Sequence, residues 1–148
     1  MYPLSRRWII TGLIISVLPL SACSKPEASA AHTEHPSQVD KIEGSEHSRV
    51  TLTERAAERI GLETVSVREQ ELDGSLRRVV PYSSLIYDPK GGTWVYTSPQ
   101  PRTFVRQQVE VESIDGDQVL LVDGPPVGTE IASVGVAEIY GAETGVGH

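Results

Sequence analysis

The C-terminal half of the chain is cut by glycine and proline into segments of strand length. Between Ser75 and Tyr140 these segments are rich in valine, isoleucine, threonine and aromatic residues. Short runs of such residues bounded by turn formers are typical of strands. The sequence therefore predicts a mainly β fold, a small antiparallel β-barrel or sandwich of about seven or eight short strands with one short helix.

One hairpin within this region has the strongest local signal. Apolar and polar residues alternate over residues 105–112, which places the apolar set on a buried face and Arg106 on a wet one. The pair Asp115-Gly116 is typical of a two-residue hairpin turn, and Val119–Val122 returns as an apolar strand. A further strand is predicted at Val136–Tyr140.

A short helix is predicted before the strands. Thr53 is a suitable N-cap, residues 55–60 tolerate a helix, and Gly61 provides a stop. The flanking segments 50–52 and 62–67 have the character of strands. Ordered structure is thus expected to begin at Val50.

The N-terminus has the layout of an export signal. Arg6 and Arg7 precede an apolar run over residues 8–20, which is too short to cross a bilayer, and Ser21-Ala22 lead into Cys23, the single cysteine. This pattern resembles a bacterial lipoprotein signal, with residues 1–22 removed and Cys23 lipidated on the periplasmic side of the inner or outer membrane. The alternatives are a plain secretory signal with a free cysteine, or a short buried helix.

The rest of the chain divides by composition. Residues 23–49 are polar and poor in large apolar side chains, which predicts a flexible, lipid-anchored linker. The β domain then spans residues 50–141, and residues 142–148 form a flexible tail. The formal net charge of −7, without a basic run, argues against nucleic acid as a partner.

Histidines in the linker allow a second interpretation. His32, His35 and His47 are ligand types that suit zinc, copper or nickel, so a metal-binding or metal-carrier lipoprotein is one alternative. The other is a solvated linker in which the histidines have no role. No histidine or cysteine lies between Val50 and Gly147, so the ordinary nucleophile-and-base pairs are missing there. The chain is predicted not to be an enzyme, and no cofactor is predicted.

Several stretches of the β region resemble the C-terminal part of a known family. The family is that of the periplasmic adaptor subunits, or membrane fusion proteins, of efflux systems of the resistance-nodulation-division (RND) type, particularly the heavy-metal branch. The matching stretches are residues 80–88, 93–96, 104–106, 123–131 and 134–143.

Residues 50–67 are similar to a different part of that family, the segment that precedes its lipoyl-like domain. A complete adaptor has a β-barrel, a lipoyl-like domain and a helical hairpin between the two stretches, whereas here only residues 68–79 separate them. The resemblance implies a stand-alone membrane-proximal domain. It also implies docking on an RND-type pump, a full-length adaptor, or both, as a transport accessory.

The resemblance leaves two ways to dock. One uses strand edges, and the other uses an exposed surface of Trp94, Tyr96 and Phe104, because aromatic residues contribute most at interface centres. The alternative for these three aromatics is packing in the core.

Overall fold

The computed structural model describes residues 35–72 and 74–145. The predictions for the signal at residues 1–22, for lipidation of Cys23 and for His32 lie outside these residues. Within them no helix is long and apolar enough to cross a membrane.

The described residues form eleven strands, two α-helices and a short 3-10 helix at Tyr82–Ser84. The strands are β1 (Ser37–Lys41), β2 (Ser48–Leu52), β3 (Glu63–Ser66), β4 (Arg68–Leu72), β5 (Ser75–Pro81), β6 (Ile86–Tyr87), β7 (Thr93–Gln100), β8 (Thr103–Gln108), β9 (Glu110–Asp115), β10 (Gln118–Asp123) and β11 (Glu130–Val134). The helices are α1 (Glu54–Ile60) and α2 (Val136–Thr144).

The strands build two antiparallel sheets. The larger sheet has the order β1-β2-β8-β7-β11-β3, with β6 paired to part of β7, and the smaller has the order β4-β5-β10-β9. Among the described strands neither sheet closes on itself, so the fold is sandwich-like and not a barrel. The prediction of a mainly β, antiparallel fold is confirmed, while the structure has more strands and one more helix than expected.

Residues distant in sequence pair within the larger sheet. Val50 of β2 lies opposite Phe104 of β8, and Val65 of β3 lies opposite Ile131 of β11. The N-terminal segment is therefore an integral part of the β unit that follows Ser75. Strands β4 and β5 join the two parts directly as a hairpin, whose register runs from Arg68↔Val79 to Leu72↔Ser75.

The flexible linker predicted for residues 23–49 is wrong over its described C-terminal part. Strand β1 pairs with β2 from Ser37↔Leu52 to Lys41↔Ser48, and the intervening turn is closed by a hydrogen bond from Ser45 N to Ile42 O. This pairing is made by backbone groups, so a segment with few apolar side chains can still join a sheet edge. Among the described residues, regular secondary structure begins at Ser37 and not at Val50.

The predicted hairpin at Gly116 is confirmed, although its first arm is not one strand. Asp115 lies opposite Gln118, so the two turn residues are Gly116 and Asp117. The alternating run 105–112 is divided at Val109: the part before it belongs to β8 in the larger sheet, and the part after it to β9 in the smaller.

Helix α1 has the predicted boundaries. The Thr53 side chain accepts a hydrogen bond from Ala56 N at 3.2 Å, and Gly61 ends the helix with a φ of 62°. That left-handed conformation is the reason a glycine stands there.

Helix α2 corrects two predictions, the strand at Val136–Tyr140 and the flexible tail from residue 142. Val136 and Ile139 are buried and Tyr140 is half-buried, which is the spacing of one helical face. The helix continues to Thr144, so residues 142–144 are ordered.

Two apolar clusters form the core. One lies beneath the helices and includes Val50, Tyr96, Phe104 and Ile139. The other lies between the sheets and includes Val80, Val95, Val119 and Leu121. The buried polar groups of Tyr96, Arg106 and Glu143 lie beside the first cluster.

Candidate functional site

The three aromatic residues predicted to contact a partner do not form an exposed surface. Tyr96 and Phe104 are both 0% exposed and lie in the core cluster beneath the helices. Core packing, the alternative for these residues, is therefore correct for both. Trp94 is half-buried at the edge of the same cluster. Of these three residues, only Trp94 reaches the surface.

A buried ion pair lies where the end of α2 meets the larger sheet. Arg106 Nε is 3.4 Å from Glu143 Oε2, and the two side chains are 12% and 4% exposed. Among the residues that the structure describes, the Nε–H group has no hydrogen-bond acceptor in suitable geometry, so its contact with Glu143 is ionic and not a directed hydrogen bond. The expectation that Arg106 faces water is wrong, because α2 covers that face of β8.

The Glu143 carboxylate also accepts two hydrogen bonds. The Tyr96 hydroxyl donates to Oε2, and the Ser48 backbone N–H donates to Oε1 at 3.3 Å. A buried carboxylate is tolerated when it is both paired and hydrogen-bonded. Glu143 thus connects α2 to β2, β7 and β8 through one side chain.

The buried position of Tyr96 beside Glu143 raises its pKa. Burial disfavours its phenolate, and the hydrogen bond to the Glu143 carboxylate favours the neutral form further. Both effects hold the pKa of Tyr96 well above its usual range. The residue is therefore a fixed donor throughout the physiological pH range.

The outer side of Arg106 contacts aromatic rings. Its guanidinium carbon lies 4.9 Å from the centre of the Trp94 ring and 5.6 Å from that of Tyr140. Arg106 Nη2 is 3.0 Å from His47 Nδ1, and the His47 ring meets Trp94 edge-on with centroids 4.7 Å apart. Because arginine only donates, Nδ1 of His47 acts as the acceptor in this contact.

Trp94 is held from its other side by Asp88. The indole Nε1–H donates to Asp88 Oδ2 at 2.9 Å, while Oδ1 accepts from the backbone N–H groups of Gly92 and Lys90, each at 2.8 Å. These donors, with that from Gly92 contributing most, hold the pKa of Asp88 below its usual value. The Asp88 loop therefore fixes the orientation of the Trp94 ring.

The histidines proposed as metal ligands are only partly described. His35 is exposed ahead of β1, and His47 packs on Trp94 and Arg106. Within residues 35–72 and 74–145 no group of three or more histidine, cysteine, aspartate or glutamate side chains is arranged to hold a metal ion. His32 lies outside the described residues, so the metal-binding hypothesis stays a prediction.

An apolar recess of about 390 Å³ opens between the two helices and β2. Leu52 and Ile60 contribute apolar surface, and Arg59 and Glu138 lie among its lining residues. Its other lining residues from α2 are small, which leaves the recess open between the helices.

The outer strands of the smaller sheet differ in regularity. All five residues of β4 are exposed, and its register with β5 runs without interruption. Strand β9 at the opposite edge has register shifts on both sides of Leu121 in its pairing with β10. Bulges disturb a strand edge and hinder further pairing, so β4 is the more regular template for an added strand.

The sequence reasoning missed Arg106 and Glu143 as a pair. A signal for Glu143 exists, because Val136, Ile139, Tyr140 and Glu143 recur at helical spacing and so share the inward face of α2. Nothing local in β8 points to Arg106, whose partner lies far away in the sequence.

Comparisons with protein-family models, with curated proteins and with solved structures find no match to this chain.

Proposed function

We propose that this chain is a non-catalytic, lipid-anchored protein on the periplasmic side of a bacterial membrane. It resembles the membrane-proximal domain of an efflux adaptor, and it docks on or modulates an RND-type transporter complex. Its partner is the pump, a full-length adaptor, or both.

The observation that carries this proposal is the pairing of two distant segments into one unit. The resemblance assigns residues 50–67 and the region after residue 80 to opposite ends of a much longer adaptor. In this chain β2 pairs with β8 and β3 with β11, so the two segments complete the same sheet. A domain reduced in this way requires such closure.

The hairpin of β4 and β5 supports the proposal from a second side. It occupies residues 68–81, where a complete adaptor carries its inserted domains, and every residue of β4 is paired with β5. This short, regular hairpin joins the two parts of the domain directly. Within residues 35–72 and 74–145 the unit therefore has no elongated part with which to reach an outer-membrane channel.

The exposed edge of β4 supports docking through backbone pairing. A partner strand that adds to a sheet edge binds through main-chain hydrogen bonds. With Tyr96 and Phe104 buried, strand edges are the better-supported of the two docking modes. Arg68, Glu69 and Glu71 on β4 offer charges of both signs that select a complementary strand.

Affinity capture from membranes tests the proposal. The full-length protein carries a C-terminal tag and is purified in mild detergent from the bacterium that produces it, and the co-purifying chains are identified by mass spectrometry. We expect an RND pump, an adaptor, or both. Recovery of other envelope proteins, without any transporter component, would contradict the proposal.

A Cys23→Ser variant provides the matched control. It lacks the proposed site of lipidation, so it is expected to incorporate no labelled fatty acid, whereas the parent protein is expected to be labelled. Its capture should still return transporter components, at lower yield, if docking depends on the folded domain. Equal fatty-acid labelling of the variant and the parent protein would contradict lipidation at Cys23.

A further inference from the structure

Helix α2 packs on the core along one narrow face, where Tyr140 and Ala142 are only half-buried. Of its nine residues only Val136 and Ile139 are buried, and its N-cap Gly135 has no side chain with which to cap the helix. A helix of this length is marginal without tertiary contacts. Its attachment therefore depends strongly on contacts near its C-terminal end.

Those contacts converge on one side chain. Glu143 pairs with Arg106 and accepts hydrogen bonds from the Tyr96 hydroxyl and from Ser48 N. It is the single α2 side chain that contacts groups of three different strands in this way. Loss of Glu143 from its position therefore removes all three of these polar contacts at once and leaves the Tyr140 ring against Arg106 as the remaining contact of this end with β8.

Opening of α2 leaves no buried charge without compensation. Glu143 becomes hydrated on leaving, and Arg106 keeps its contacts with the Trp94 ring and with His47 while gaining access to water. The desolvation of both charges in the closed state is relieved at the same time. The ion pair thus holds the helix specifically without making its release prohibitive.

Apart from the groups that contact Glu143, the surface beneath α2 is apolar. Tyr96 and Phe104 share a core cluster with Val136 and Ile139, and the two sheets have a second cluster that contains no α2 residue. Departure of α2 therefore uncovers part of the side of the larger sheet that carries both aromatics. Ala56 and Ala57 of α1 stay packed on that side, and the core between the sheets is retained.

We propose that α2 is a C-terminal latch, held closed by Glu143, which opens by local unfolding while both sheets stay folded. Opening exposes the part of the Tyr96 and Phe104 face that α2 covers. The latch is a property of the fold and does not depend on which partner the protein binds.

Native-state hydrogen exchange of the full chain, resolved by residue, tests the latch. The backbone amides of Tyr140–Thr144 should exchange at least about tenfold faster, after correction for intrinsic rates, than those of the central strands β7 and β10. Their exchange should also depend only weakly on urea, because a local opening exposes little surface.

Three variants separate the latch from a general loss of stability. Glu143→Gln removes the charge but keeps a similar shape, and should speed α2 exchange by a further factor of about ten or more without affecting β5 and β10. Tyr96→Phe removes one donor to Glu143 and should have a smaller effect in the same place. Glu138→Gln changes an exposed carboxylate in the first turn of the same helix. It loses only a helix-dipole interaction and should speed α2 exchange by less than about fivefold.

Two results would overturn the latch. One is α2 exchange with the same protection and urea dependence as the central strands, since the helix would then open only with global unfolding. The other is a Glu143→Gln effect spread equally over both sheets. Should Glu143→Gln fail to give folded protein, that outcome also counts against independent opening, and Tyr96→Phe then tests whether any α2-specific effect remains.

Discussion

Replacement of Phe104 by alanine separates a core residue from a partner-contact residue. Phe104 is 0% exposed and pairs with Val50 in the centre of the larger sheet. The truncation removes roughly 150 Å² of buried apolar surface, which at about 25 cal/mol per Å² corresponds to about 4 kcal/mol. Phe→Ala changes in protein cores cost about 3–5 kcal/mol, which agrees with this value.

Urea unfolding followed by circular dichroism measures the effect. We expect Phe104→Ala to lower the free energy of unfolding by about 4 kcal/mol, and to lower the Tm by roughly 15–20 °C for a domain of this size. Val122→Ala is the matched control: Val122 is 56% exposed on β10, so its truncation should change the free energy by less than about 0.5 kcal/mol.

A Phe104→Ala variant that unfolds at the same urea concentration as the wild type would refute the assignment of Phe104 to the core. A variant that keeps its stability and loses only the capture of a partner would identify Phe104 as an interface residue after all. The burial of Phe104 predicts the opposite order of effects, with stability lost first.

Three further predictions concern the helices and the buried tyrosine. Thr53→Ala should lower the free energy of unfolding by about 1 kcal/mol, because it removes the hydroxyl that accepts a hydrogen bond from Ala56 N. Thr53→Ser keeps a hydroxyl and should retain most of this stability. Equal urea midpoints for the two variants would contradict the capping role. Gly135→Ala should lower the free energy of unfolding by about 2 kcal/mol or more. Gly135 has a φ of 82°, and an added Cβ would lie 2.8 Å from Ile60 Cδ1. An unchanged Tm in thermal unfolding would contradict this packing. Tyr96 keeps its proton in the folded state above pH 10, where an unfolded-state tyrosine loses its own, so stability should fall with rising pH by up to about 1.4 kcal/mol per unit. Tyr96→Phe should lack this component, and identical pH dependence of the two proteins in urea unfolding above pH 10 would contradict the assignment.

Local signals in the sequence predicted the parts of the fold that depend on local structure. The cap at Thr53 and the stop at Gly61 gave helix α1, and the turn at Gly116 gave the hairpin of β9 and β10. Each feature depends on residues only a few positions apart. Their energetics therefore act the same way in a segment as in the whole chain.

Strand β1 and helix α2 were beyond such signals. Strand β1 is fixed by backbone pairing with β2, and its side chains are almost all exposed, so composition alone made it a linker. In α2 the residues 136–140 are too few to distinguish a helical from a strand period. Only the continuation to Glu143, whose partners lie far away in sequence, favours the helix.

The error at Arg106 followed from the error at α2. Alternation along β8 correctly placed Arg106 on the opposite face from Val105 and was silent on what covers that face. With a strand predicted at residues 136–140, no helix remained to cover it. The contacts of Glu143 with Arg106 and Tyr96 therefore could not be predicted from the sequence.

Site-specific photo-cross-linking in membranes tests the central claim, that the closed β unit docks on a transporter complex, most directly. A photo-reactive amino acid replaces Gln70 in the regular edge β4, and in a second variant it replaces Ser113 in the bulged edge β9; both positions are exposed. The account predicts a cross-link from position 70 to an RND pump or adaptor, and a much weaker one from position 113. Absence of any transporter component from the products of both positions would contradict it.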